Sequence, residues 1–212
     1  MEVISNIEIY GLARSIFRSG YPMLNKSPTE TEFKTEVSKI EKDIDINNFE
    51  NVHIKRAISL ANAKGGGHNQ FLTGIIAQFD LSFTNKAWVE AERYTFLDFV
   101  SSMSTMHRIG SFSINECCNE FVSKDILRIV NQLRTEYVLI DDKDVERKKE
   151  SYLKLLYNLP SGLVITAGMS TNYRCLQNIY QQRKTHRLPD WKEFCEEIKK
   201  FDMAKELITN GE

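Results

Sequence analysis

The sharpest pattern in the chain is the alternation over residues 75–84, IIAQFDLSFT. There Phe79, Leu81 and Phe83 point one way and Gln78, Asp80, Ser82 and Thr84 the other. A period of two predicts a half-buried strand of a mainly antiparallel sheet. Elsewhere apolar residues recur at helical spacing. Residues 7–21 put Ile9, Leu12, Ile16 and Phe17 on one face and stop near Gly20 and Pro22, which predicts a helix. Residues 22–50 are polar and charged and read as surface loop with room for one short helix. An amphipathic helix is predicted over 50–64, with Val52, Ala57, Ile58, Leu60 and Ala61 as its apolar side. Residues 86–106 predict a long helix holding Trp88, Ala91, Thr95, Phe99 and Ser102 in register, and 115–137 another with Phe121, Ile126, Ile129, Val130 and Leu133 inward. Asp141 and Asp142 cap a charged helix that runs until Pro160-Ser161-Gly162 interrupts it, and its basic run reads as a solvated face. The last two helices are predicted at 171–184 and 189–208, with Pro189 near the start of the second. With no internal repeat or low-complexity linker, the expectation is a single α+β domain over residues 1–212, a mainly antiparallel sheet packed with long helices.

Composition narrows the partners. Apolar residues at 42% and charged residues at 27% are ordinary globular values. A net charge of −1 provides no global field to recruit a nucleic-acid polymer or an anionic membrane. A small phosphorylated ligand needs only a few local cations and stays open. No stretch approaches the ~20 apolar residues that cross a bilayer, and the first residues lack the basic start and apolar run of a signal peptide. Cys117, Cys118, Cys175 and Cys195 fit neither a CxxC knuckle nor a disulfide framework. Reduced thiols in a cytoplasmic protein are expected. His53, His68, His107 and His186 are scattered without zinc-site spacing, so no metal is expected.

Two polar stretches carry the candidate chemistry. Ser104–Cys118 sets His107 and Arg108 side by side at the end of the predicted 86–106 helix, before a turn at Gly110-Ser111. Alone, such a pair is an ordinary helix end, where cations complement the exposed carbonyls. The adjacent Cys117 and Cys118 read as small buried hydrophobes rather than as a covalent nucleophile. The second stretch runs from Thr171 to Arg183. At about 100° per residue, Arg174 and Asn178 share one helix face and Arg183 lies about 180° from Arg174. Upstream, Gly65-Gly66-Gly67-His68-Asn69 is either a flexible turn or a place where backbone approaches a ligand closely. It is not a P-loop, because no Gly-Lys-Ser/Thr follows.

Together these stretches resemble the flavin-dependent thymidylate synthases (ThyX). That family's signature is Arg-His-Arg, seven residues, then Ser. Its C-terminal helix carries Asn, Arg, Asn and Arg at the spacing of Asn172, Arg174, Asn178 and Arg183. Leu159-Pro160 and Trp191 fit around it, and Gly67-His68-Asn69 resembles the family's Gly-His-Glu turn, so the resemblance spans about residues 55–195. Four positions depart. Met106 stands at the first Arg of the signature. Two extra residues in the turn align Asn115-Glu116 with the family's Asn-Glu and bring Cys118 to its Ser. Glu120 and Leu156 replace two further arginines.

The resemblance implies an FAD site of His68, His107, Arg108, Asn172, Arg174 and Asn178, and a pyrimidine-nucleotide site of Glu116, Cys118 and Arg183. It implies NADPH and methylenetetrahydrofolate as co-substrates, with hydride delivered from reduced FAD. It also implies a homotetramer with sites between subunits, and the methylation or hydroxymethylation of dUMP or a related nucleotide. A non-catalytic descendant that binds nucleotide or flavin, or serves assembly, is the alternative.

Overall fold

The structure, a computed structural model, describes residues 2–63 and 67–212. In chain order it runs β1 (Ile4–Tyr10), α1 (Leu12–Arg18), α2 (Glu30–Asp45), α3 (Val52–Ala61), β2 (Ile76–Thr84), α4 (Asn85–Ala91), β3 (Asp98–Ser102) and α5 (Thr105–Arg108). It continues with α6 (Lys124–Leu139), α7 (Val145–Tyr157), β4 (Val164–Asn172), α8 (Tyr173–Arg183), α9 (Pro189–Ile198) and α10 (Ala204–Leu207). The four strands form one antiparallel sheet in the order β1-β2-β4-β3. The expected α+β class is observed.

The alternation read in β2 sets the register. Its pairing with β4 runs unbroken from Ile76 opposite Asn172 to Thr84 opposite Val164. Ala77, Phe79, Leu81 and Phe83 are buried, as are Ala167 and Met169 on the facing strand. Phe79 packs edge-on against Phe201, and Phe83 against Trp191 and Phe194. The fully buried Trp191, Tyr173, Tyr180 and Phe194 place α8 and α9 on this face. Each such side chain contributes roughly 1.5–3 kcal/mol of burial. A second cluster of Ile109, Phe112, Ile114, Val130 and Leu155 lies under the α6–α7 hairpin.

Several predicted elements differ. The 7–21 helix is a strand followed by a helix, broken at Gly11, whose φ of 74° sits where a Cβ would come 2.7 Å from the Gly74 carbonyl oxygen. Ile9 and Leu12 keep helical spacing only because the two elements meet there. The 22–50 loop contains the 16-residue α2. Its start was written in the sequence as a capping box, with Thr29 N–H donating to Glu32 at 2.7 Å and Glu32 N–H returning to the Thr29 hydroxyl at 3.3 Å.

The α3 prediction holds, with Ile54, Ala57 and Ala61 inward, whereas Val52 is exposed. The 86–106 helix ends at Ala91, and the chain re-enters the sheet as β3 because β4 has a free edge to pair. Trp88 and Phe99 do meet, their ring centroids 4.9 Å apart, but as helix against strand. Residues 115–123 lie outside any helix; Ser123 caps α6, and Phe121, Ile126 and Ile129 are exposed rather than inward.

The charged helix begins at Val145, capped by Asp144 rather than by Asp141 or Asp142. Residues 164–172 form β4, so the predicted 171–184 helix starts at Tyr173. The 189–208 helix splits into α9 and α10 at Met203, which has φ 54°. Of the glycine run, Gly65 and Gly66 lie outside the described residues. Gly67 has φ 68° and opens the 3-10 turn His68–Gly74.

Candidate functional site

The β2/β4 pair ends in two hollows of opposite charge. At the Ile76/Asn172 end, a cavity of about 680 Å³ opens between three segments. The His68–Gly74 turn supplies Gln70 and Thr73. The loop from α4 to β3 contributes Arg93, Tyr94, Thr95 and Phe96. The β4–α8 junction adds Asn172, Arg174 and Cys175, and α8 adds Asn178 and Gln182 further on. Two guanidiniums, four amides and two aromatic rings line it, and among the described residues no carboxylate does.

Local chemistry fixes these groups. Asn172 is the N-cap of α8, its side-chain oxygen accepting from Cys175 N–H at 2.9 Å, which leaves the amide NH2 as its free donor. Arg174 follows in the first turn and donates to the Gln70 side-chain oxygen across the cavity. Asn178 is exposed one turn along, on the same face, as the spacing predicts. Burial pushes the Cys175 thiol above its ordinary range, so the thiol stays neutral in the cavity wall. Behind the wall, buried Gln177 clasps three segments. It accepts from Asn69 at 2.8 Å and donates to the Ala61 and Leu207 carbonyls at 3.0 and 3.2 Å. This clasp holds the His68–Gly74 turn against α8.

Arg183, at the other end of α8, does not line the cavity. It is only 6% exposed and is packed between Glu90, Tyr94, His186 and Trp191. His68 is exposed at the start of its turn, and His107 and Arg108 are exposed on α5; none of the three lines the cavity. The sequence reading has the segment after β2 deliver His107 and Arg108. Because α4 stops at Ala91, the segment delivers Arg93–Phe96 instead. The signal was the run Tyr94-Thr95-Phe96-Leu97-Asp98-Phe99, rich in aromatic residues and better suited to extended chain than to a helix.

At the Thr84/Val164 end lies a cleft of about 430 Å³. Glu116 and Cys118, expected at a nucleotide site, line it together with Glu120, Asp190 and Glu193. No lysine or arginine lines it among the described residues. Asp190 accepts from Thr84 N–H at 2.9 Å and so anchors α9 to the end of β2. Burial raises the Cys118 thiol, and the neighbouring Cys117 raises it further. Eight strand steps of about 3.3 Å separate the two ends, roughly 26 Å. Within one chain the structure therefore brings Asn172, Arg174 and Asn178 together and sets Glu116 and Cys118 apart from them.

No family model and no curated protein sequence matches the chain. Among solved structures it is similar to the flavin-dependent thymidylate synthase ThyX from Helicobacter pylori complexed with FAD and dUMP. The TM-score is 0.65 at 12% identity, covering 98% of both chains. A second structure of that protein with FAD and dUMP gives a TM-score of 0.61 at 13% identity, covering 99% of this chain and 97% of that one. At this identity the likeness is one of fold, and it extends over almost the whole chain. The ThyX-like architecture expected from the sequence is thus observed.

Proposed function

We propose that this chain is a flavin-dependent enzyme that holds FAD in the Arg93–Arg174 cavity. It would methylate or hydroxymethylate a pyrimidine deoxynucleotide, dUMP to dTMP or a variant of that reaction, with methylenetetrahydrofolate and NADPH as co-substrates. The observation that carries the reading is the cavity's donor set: two guanidiniums and several amide donors, with no carboxylate among the described residues, in a fold whose solved neighbours contain FAD and dUMP. Such a set fits an anionic ligand with a flat ring. Arg93 and Arg174 would pair with phosphate oxygens, which match the guanidinium fork. Asn178 and the Asn172 amide would donate to ring or ribityl acceptors, and Phe96 and Tyr94 offer apolar faces. A bound flavin supplies hydride chemistry that no side chain here has. Cys175, Cys117 and Cys118 all have thiols raised by burial, so no covalent nucleophile is assigned.

The reading includes a homotetramer in which His68, His107 and Arg108 complete the cavity of a neighbouring copy. The exposed Phe121, Ile126, Ile129 and Tyr157 offer an apolar surface for such packing. A cytoplasmic setting suits the free cysteines, and no described helix is long and apolar enough to cross a membrane.

A second reading, a ThyX-fold protein that binds flavin or nucleotide or serves assembly without catalysis, is favoured by one specific observation. The nucleotide-side candidates Glu116 and Cys118 sit in an acidic cleft, and Arg183 is packed among protein groups. The visible absorption spectrum after incubation with FAD and desalting tests the first step. A retained flavin band that shifts on adding dUMP supports the enzyme. A band indifferent to pyrimidine nucleotides supports the binding module, and a folded protein that retains no flavin refutes both flavin readings.

A further inference from the structure

Arg183 is held among protein groups, yet one of its bonds reaches the cavity. Nη1 donates to Glu90 at 2.9 Å and lies 2.8 Å from His186 Nε2, while the guanidinium carbon stands 4.7 Å from the centroid of the Trp191 ring. Nε donates to the Tyr94 hydroxyl at 2.7 Å. Tyr94 lines the cavity, and so does its other partner, Gln182. A guanidinium has donors only, and a phenol has a single proton. The Tyr94 oxygen must therefore accept from Arg183 and send its own proton elsewhere. That proton points to the Gln182 side-chain oxygen, 3.1 Å away. Gln182 is exposed, so this acceptor is exchangeable.

We propose that Arg183 is a positioning residue that fixes and polarises Tyr94 as an O–H donor to the ligand of the cavity. The acceptor would be a carbonyl oxygen or ring nitrogen of a flat heteroaromatic ring, which replaces Gln182. A hydroxyl that already accepts a charged hydrogen bond is a stronger donor. Arg183 thus contributes to binding through Tyr94 while its charge remains balanced by Glu90. The choice of ring ligand rests on the flavin and pyrimidine reading given above; the direction of the Tyr94 proton does not.

The test titrates the full chain with FAD, for the unmodified protein, Tyr94→Phe, Arg183→Lys and the double variant. Lysine keeps a charge for Glu90 but lacks the fork that reaches Tyr94 as well. Each single variant is expected to lose roughly 3- to 10-fold in affinity, the usual worth of one net hydrogen bond. The double variant should lose no more than the larger single loss. Additive losses, or a Tyr94→Phe variant that binds as the unmodified protein does, would overturn the proposal.

A second arm follows fluorotyrosine-labelled protein by 19F NMR, the Tyr94 resonance being identified by its loss in Tyr94→Phe. It should move in Arg183→Lys while the other tyrosine resonances stay, and move again on adding FAD or dUMP. Movement with dUMP in a chain that takes up no FAD upholds the positioning role and sinks the flavin reading. A Tyr94 resonance indifferent to Arg183→Lys, or to both ligands, overturns the role itself.

Discussion

Two arginines nine residues apart on one helix should fail in opposite ways when truncated. Arg174 is partly exposed and its partner is the Gln70 amide, also at the surface. Arg174→Ala should therefore change folding stability by less than about 0.5 kcal/mol, the usual range for surface positions. It removes a charge-assisted contact to an anionic ligand, about 1.5–3 kcal/mol, so FAD affinity should fall roughly 10- to 150-fold.

Arg183→Ala strikes the interior. It strips Glu90, whose side chain is 20% exposed, of its 2.9 Å partner and opens a void over Trp191. Breaking a buried ion pair costs about 3–5 kcal/mol. Lys86, 3.4 Å from the other Glu90 oxygen, and the partial exposure of Glu90 place this one at the low end, about 3 kcal/mol. For a chain of this size that lowers Tm by roughly 6–12 °C. Thermal unfolding monitored by intrinsic fluorescence, beside FAD titration, measures both axes. The reasoning is refuted if Arg183→Ala keeps its Tm within about 2 °C of the unmodified protein, or if Arg174→Ala unfolds early and binds FAD unchanged.

The Gln177 clasp predicts that Gln177→Leu costs about 3 kcal/mol, since the Ala61 and Leu207 carbonyls and the Asn69 amide all lose a partner at once. Urea unfolding measures it, and a loss below about 1 kcal/mol would show that water replaces the amide freely. Alkaline stability provides a separate check. Burial pushes the Cys195 thiol up to about 12 and raises the Tyr173 phenol as well. Unfolded, these groups ionise near about 8.5 and 10. From about pH 8 upward the unfolded chain therefore binds fewer protons than the folded one, and stability falls as pH rises. A loss of roughly 3 kcal/mol between pH 8 and 10.5 is expected from urea unfolding under reducing conditions, and a flat profile counts against the burial of these groups.

The sequence made legible what is local. The alternation of Phe79, Leu81 and Phe83 identifies one of the two central strands, and the spacing of Arg174 and Asn178 places them on one face of α8. What escaped depends on partners distant in the chain. The strand β3 is exposed at every position and shows no alternation; it exists because the edge of β4 accepts it. The 7–21 segment imitates a helix across a strand–helix boundary that only the left-handed Gly11 marks. The resemblance grouped Glu116 and Cys118 with Arg183 at a nucleotide site and Arg174 with the flavin site. Their separation follows from the antiparallel register, which puts Val164 and Asn172 at opposite ends of one strand. Arg183 repeated the family spacing, but its surroundings on α4 and α9 could not be read from spacing. Besides the aromatic run from Tyr94 to Phe99, a second signal was present and unused, the Thr29–Glu32 capping box.

Separation of charge along the sheet also bears on the kinetics of encounter. With a net charge of −1 the molecule neither attracts nor repels an anion from afar. Within about a Debye length, ~8–10 Å, the arginine-lined end draws a phosphorylated molecule in while the carboxylate-lined end turns it away. A nucleotide approaching at random is therefore sorted between the two ends before it touches either. Rising salt would slow its arrival at the cavity far more than it would hasten its departure.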